Sequence, residues 1–409
     1  MDVVSLQSYR AALRIRGVPS SLLLMFVVRL PMTAAGLTMT LHVVSELGMG
    51  YGAAGLVGAV TTGGTALGAP LLGRFFDRYG LRPVIAVCAI ASTVYWLTAS
   101  HLPYVALLCT ALPAGLLAIP AGPVGKQILA ALVPERQRRS VFSLDTVSVE
   151  LSFMIGPALG IGIATAFSGT VALSAIGICF GVGGLLLWLM NPPIRNSDEI
   201  GAGELYRPRL RQWVNRSLIA TWLTAFGALF VLIGTELSAL AVLRASGNVE
   251  LTGVVIAVIC LASLIGGLVY GAASRTPSQR TLMFLLAALL IPVAVLDEPW
   301  WLLAIALIPS NLVCAPTLAA TSEAVSRLAP PQVRGTAMGL QDSSVRLGLA
   351  VGNPAIGLVI DHGSASWGFA ASGLVGVVIA GVAMLLVGFS TTSKPAAPRE
   401  SKQRTRAPR

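Results

Sequence analysis

Arg29, Glu150 and Arg346 each stand well inside a long apolar run of this 409-residue chain. Asp145 and Asp342 lie about one turn nearer the polar breaks that open their runs. Lys126 and Glu323 lie near the ends of theirs, and Glu236 and His42 near the far ends of two others. Charge in such surroundings is costly. It is kept for one of three purposes: moving a proton, holding a charged solute, or closing an internal ion pair. Glu150 lies about nine residues into its run, roughly 13 Å along a helix. A carboxylate there that loses its cation takes up a proton, because burial disfavours the charged form. That is the requirement for a carrier that collects a proton on one side and releases it on the other. Three histidines, no nucleophile–base motif and no phosphate-binding loop argue against an enzyme. No metal or organic cofactor is expected, and energy must come from an ion gradient, a proton gradient first, or from the solute gradient.

The elements that must position these groups are hydrophobic helices. The chain is 55% hydrophobic and only 11% charged, with a mean hydropathy of +0.80, where a soluble chain carries about 25% charged residues. A helix needs about 20 apolar residues to cross roughly 30 Å of hydrocarbon. Twelve runs qualify, near 21–44, 52–72, 83–100, 103–129, 141–166, 170–190, 214–240, 250–272, 281–296, 300–322, 337–360 and 367–389, the ninth being short and interrupted by Pro292. The five cysteines, Cys88, Cys109, Cys179, Cys260 and Cys314, all fall inside these runs as small core residues.

The 28 Lys+Arg outnumber the 17 Asp+Glu, and position explains the excess. Arg10, Arg14 and Arg16, then Arg74, Arg78 and Arg82, then Arg136, Arg138 and Arg139 occupy alternate breaks, and the pattern continues to the basic tail. The opposite breaks carry Arg244 beside Glu46, Glu250, Asp297, Glu298 and Asp361. Basic loops stay on the cytoplasmic side, so both termini are expected there. No basic cluster with interleaved aromatics suggests nucleic acid. Arginine over lysine, with abundant Ala, Gly and Val, fits a bacterial plasma membrane.

The chain divides into a cytoplasmic segment 1–20, a bundle 21–190, a polar linker 191–213, a second bundle 214–389 and a basic tail 390–409 that reads as disordered. The halves repeat. At a shift of 196, Pro120 falls on Pro316, Pro134 on Pro330, Arg138 on Arg334, Ser148 on Ser344 and Gly156 on Gly352. At a shift of 198, Gly73 falls on Gly271 and Arg82 on Arg280. Arg346 is thus the repeat equivalent of Glu150. The expected architecture is an all-α integral membrane protein of 12 helices, two six-helix bundles related by a parallel pseudo-repeat.

The break after the second run reads GRFFDRYGLRP. Gly73, Asp77, Arg78, Gly80 and Arg82 match the G-x3-D-[RK]-x-G-x-[RK] signature, so the chain resembles the major facilitator superfamily, drug or metabolite:proton antiporters in particular. The equivalent break of the second half keeps Gly271 and Arg280 but has Arg275 where the acid would be. The resemblance implies a conformational latch between the halves, to which Asp145 and Asp342 are added here. Gly156, Pro157 and Gly160 look like part of an exporter motif, and read physically they are a small-residue packing face.

The resemblance also implies that the first and fifth helices are neighbours, so Arg29 and Glu150, at similar depth, are expected to pair. It further implies a cavity lined by the first, fourth, seventh and tenth helices. Their polar residues are Thr33, Thr38, Lys126, Gln127, Thr224, Thr235, Asn311 and Thr317. So few polar points suit an amphipathic or lipophilic small molecule better than a sugar. The expected function is a proton-coupled exporter acting as a monomer, with Arg29, Glu150, Arg346 and Glu236 carrying coupling or substrate charge. The alternative is an importer or facilitator of a small anionic or zwitterionic metabolite held by Arg29 and Arg346.

Overall fold

The computed structural model describes residues 6–194, 210–248, 251–273, 276–296 and 298–388. The 390–409 tail, most of the linker and Arg275 lie outside these residues. The first six spanning helices are α1 Val18–Leu41, α2 Tyr51–Tyr79, α3 Leu81–Ala99, α4 Tyr104–Leu116 with Ala121–Leu132, α5 Arg138–Ala166 and α6 Gly169–Met190. The second six are α7 Arg216–Ala245, α8 Thr252–Ala272, α9 Gln279–Ala288, α10 Trp300–Asn311 with Cys314–Leu328, α11 Arg334–His362 and α12 Trp367–Gly388. An amphipathic helix, Leu6–Leu13, precedes them. Among the described residues, eleven helices are long and apolar enough to cross a membrane. The remaining one is α9, short as its sequence suggests and continued by a 3-10 turn, Ile291–Val295. There is no strand among the described residues. Hydrocarbon offers no hydrogen bonds, so the backbone satisfies itself within helices.

Local chemistry sets the ends. Ser168, Asn215 and Ser278 accept from the first-turn amides of α6, α7 and α9. Gly80 alone joins α2 to α3, at φ +80°, a conformation that glycine adopts without a Cβ penalty. α4 and α10 break at repeat-related places, just after Pro113 and Pro309.

Each half has its own core. In the first, Met25, Ile85, Leu107, Ile128 and Leu173 are fully buried together. In the second, Val231, Met283, Leu290, Leu303 and Phe369 are. Large apolar side chains such as Leu67, Ile90, Val105, Ile178, Leu185, Val378 and Leu385 face outward. In water such a surface would drive association; in a bilayer it is the lipid face.

The halves meet through α2 on α11, and through α5 on α8 and α10. Glycines let the backbones touch: a Cβ on Gly73 would strike the Gly335 carbonyl, and one on Gly339 the Ala69 carbonyl. Gly271 likewise lies against Ser143. The hydrogen bonds between halves lie toward the arginine-rich end or at mid-depth. Ser140 Oγ donates to the Gly271 carbonyl at 2.8 Å, Ser143 to that of Gly267, and Arg138 Nη1 to that of Ser326 at 3.4 Å. The structure is therefore closed at its basic end. Gly73→Val should hold α2 off α11 there. The expected result, read by hydrogen–deuterium exchange in detergent, is at least about tenfold faster exchange of the Gly335 and Thr336 amides. Unchanged exchange would mean the contact carries no load.

Candidate functional site

Asp77 sits at the last turn of α2, with 4% of its surface exposed. Its Oδ1 accepts from the Gly335 amide at 3.0 Å. Its Oδ2 accepts from the Thr336 amide and from Thr336 Oγ1, both at 2.8 Å. Gln127 Nε2 donates to Oδ1 at 3.3 Å. One half thus caps the start of α11 in the other, where free amides and the helix dipole favour negative charge. Arg78 and Arg82 of the same signature stay on their own half. Arg78 lies over the Tyr79 ring, and Arg82 Nε donates to the Trp188 carbonyl at 3.2 Å. Asp145 and Asp342, expected at this latch, lie deeper.

Asp145 is the partner of Arg29. Asp145 Oδ1 stands 2.7 Å from Arg29 Nη1, and both side chains are almost fully buried. The expected Arg29–Glu150 pair is therefore corrected. Five residues turn a helix by about 140°, so when Asp145 faces α1, Glu150 cannot. The spacing of Asp145, Ser152, Gly156 and Gly160 marks that face and was readable from the sequence. A Cβ on Gly156 would meet Thr33 Oγ1, and one on Gly160 Thr38 Oγ1. Pro157 sits within α5 on this stretch.

Arg346 Nε stands 2.7 Å from Asp342 Oδ2, one turn away on α11. Lys126, half-buried on α4, lies within electrostatic range of Asp145, Asp342 and Arg29. Arg29 Nη2 and Asp145 Oδ2 make no hydrogen bond among the described residues. Here, then, three cations face two carboxylates, and a buried pair keeps unused bonding capacity.

Glu150 turns to the other half. Its Oε1 accepts from Ser263 Oγ of α8 at 3.0 Å. Glu236 on α7 lies within electrostatic range of it, and Cys260 and Cys314 lie near both acids. Among the described residues neither glutamate is in an ion pair with a cation.

Most of the expected cavity-lining side chains are instead packed away. Thr38, Thr224, Thr235, Asn311 and Thr317 are at most 2% exposed. Each donates to a carbonyl one turn back in its own helix, a bond that frees hydroxyls and amides from needing a cavity. Thr33 donates to the Ser152 carbonyl at 2.8 Å, joining α1 to α5. Gln127 belongs to the Asp77 cap. Lys126 is the charged member of that set and lies near Asp145, Asp342 and Arg29. Ser263, Gly335 and Thr336 are contacts of Glu150 and Asp77 that sequence reasoning missed. His42, near the far end of its run, is buried with its Nδ1 2.8 Å from Glu46 Oε2.

The family model described as the Major Facilitator Superfamily matches residues 21–296 and 281–409. Similar solved structures include the human organic anion transporter MFSD10 (TETRAN), at 18% identity, covering 91% of this chain and 99% of that one, with a TM-score of 0.71. The proton:xylose symporter XylE bound to 6-bromo-6-deoxy-D-glucose gives 13% identity, 91% and 95% coverage and 0.70. A bacterial homologue of the iron transporter ferroportin, outward-facing with soaked iron, gives 14%, 92% and 100% coverage and 0.69. At such identities these likenesses carry the fold alone. No curated protein sequence matches the chain at a significant level.

Removing one member of the Arg29–Asp145 pair leaves the other buried without its bonded partner. Arg29→Met is expected to cost about 3–5 kcal/mol, seen as a lowered melting temperature in detergent. Arg29→Met combined with Asp145→Leu should recover most of that loss. A double variant as unstable as the single would show that the pair is not the source.

Proposed function

The chain belongs to the Major Facilitator Superfamily, a family of multi-pass transporters that move small molecules by alternating access, and from that premise we propose that it is a proton-coupled exporter of amphipathic or lipophilic compounds, cationic ones above all. The observation that carries this reading is that Glu150 and Glu236 lie within electrostatic range of each other. They come from different halves, and among the described residues neither is in an ion pair; Ser263 donates to Glu150, and Cys260 and Cys314 lie within electrostatic range of both acids. Like-charge repulsion in such a site is relieved by a proton or by a cationic solute. Both ligands compete for the same carboxyls, and that competition is the coupling. With the basic end closed, protons enter from the opposite side. When the halves rock, the carboxyls exchange protons for solute.

The charge distribution supports placing the basic end, with both termini, on the cytoplasmic side of a bacterial plasma membrane. The structure then corresponds to the outward-facing state, and Asp77 is the latch that holds it. Arg346 and Glu150 have separate roles here: Arg346 holds Asp342, while Glu150 carries the proton. No cofactor takes part, and two bundles in one copy complete the pathway.

A second reading has its own observation. Arg29, Lys126 and Arg346 exceed their two acids by one positive charge, which suits a small carboxylate.

Proteoliposomes under an imposed pH gradient separate the two. In wild type, lipophilic cations added outside should set protons moving across the membrane, read as lumenal pH. Glu150→Gln should lower that flux by about tenfold or more, within the range set by loss of a proton-transferring group. Gradient-independent uptake of a carboxylate, unchanged in Glu150→Gln, would overturn the exporter reading and favour the anion site.

A further inference from the structure

The Asp77 cap has a repeat-related counterpart of different chemistry. Gln127 corresponds to Glu323, Gly335 to Arg139, Thr336 to Ser140 and Arg82 to Arg280. Asp77 corresponds to an arginine in the sequence, so the carboxylate that fills the first seat has no equivalent at its own position. At the counterpart lies a cavity of about 230 Å³, open at the basic end and lined by Arg139, Arg280, Arg327, Ser278 and Glu323 among others. A water occupies about 30 Å³ of liquid, so the space takes a tetrahedral anion together with some of its hydration.

The charges are out of balance. Glu323 is met by Arg139 at 3.5 Å, and Arg139 also donates to the Ala273 carbonyl at 3.2 Å and lies over the Tyr270 ring. Arg280, in the first turn of α9, and Arg327, in the last turn of α10, are in no ion pair among the described residues. Three cations against one acid leave two positive charges around one cavity. Ser278 adds a hydroxyl at the start of α9. Planar guanidinium forks match phosphate oxygens in pairs.

We propose that this cavity is a binding site for a phosphate group, either free or on an anionic lipid headgroup. The site takes from outside the negative charge that Asp77 supplies in the other half. Basic pockets between helices at the cytoplasmic surface are suited to anionic headgroups. Arg139 comes from the first half and Arg280 and Arg327 from the second, so the site is complete only while the basic end is closed. An occupant ties the halves together there. This inference stands apart from the choice of transported solute.

The test is thermal melting of the full-length protein in a neutral detergent at constant ionic strength. The titrants are inorganic phosphate, dihexanoyl phosphatidylglycerol and, as a zwitterionic control, dihexanoyl phosphatidylcholine. A saturable rise in melting temperature with phosphate or phosphatidylglycerol is expected. Arg280→Gln with Arg327→Gln should shift its midpoint by about tenfold or more. Arg136→Gln with Arg216→Gln removes the same charge from exposed positions elsewhere and should leave it in place. A midpoint about tenfold lower for phosphatidylglycerol than for inorganic phosphate assigns the site to lipid, and equal midpoints assign it to free phosphate. No saturable response to either anion, or the same midpoint in both double variants, would overturn the site.

Discussion

A carboxylate on one half of the molecule caps the end of a helix on the other, and the packing of α2 on α11 is built around that bond. Asp77 gathers two amides, a hydroxyl and a carboxamide onto two oxygens. Charged acceptors make stronger hydrogen bonds than neutral ones, about 1.5–3 kcal/mol net. The glycines around it serve the same bond. Gly80 brings the chain back at φ +80°, and Gly73 and Gly335 let the α2 and α11 backbones approach closely enough for a short side chain to reach. The cap is made of hydrogen bonds alone, a kind of seal that water can replace bond for bond. A covalent or fully apolar seal would not open.

Farther in, the molecule separates two electrostatic tasks. The Arg29–Asp145 pair lies inside the first half and Arg346–Asp342 within one helix of the second. Glu150 and Glu236 lie within electrostatic range of each other across the halves, and among the described residues neither is in an ion pair. Pairs within a half travel with it as a rigid unit, whereas a meeting between halves changes whenever they move. Each arginine thus keeps its bonded acid within its own half, whereas the two glutamates belong to different halves. This division follows from helix rotation: along α5, Asp145 and Glu150 project about 140° apart, one toward α1 and one toward α8.

Much of this was legible in the residues. Apolar runs showed the spans, including the shortness of α9, because a bilayer imposes a length on each crossing. Asp77 was legible because its neighbours and its place between spans are so constrained. The partner of Arg29 was misread because depth was weighed and rotation was not. Ser152, Gly156 and Gly160 already mark the face of α5 that meets α1, and Asp145 lies on that face. What the threonines and Asn311 bond to was not legible. Sequence shows a polar atom in an apolar helix but not whether its own backbone satisfies it, and here the carbonyl one turn back does.

The two seals at the basic end also differ in what the surrounding solution does to them. Asp77 is 4% exposed, whereas the side chains of Arg139 and Glu323 are 28% and 21% exposed. At physiological ionic strength the Debye length is about 8 Å, so mobile ions weaken the second pair and scarcely reach the first. One half of a near-symmetric hinge therefore feels the salt of its compartment and the other does not. The inequality follows the helices: the α5–α10 contact carries the salt-sensitive pair, and the α2–α11 contact carries the shielded one.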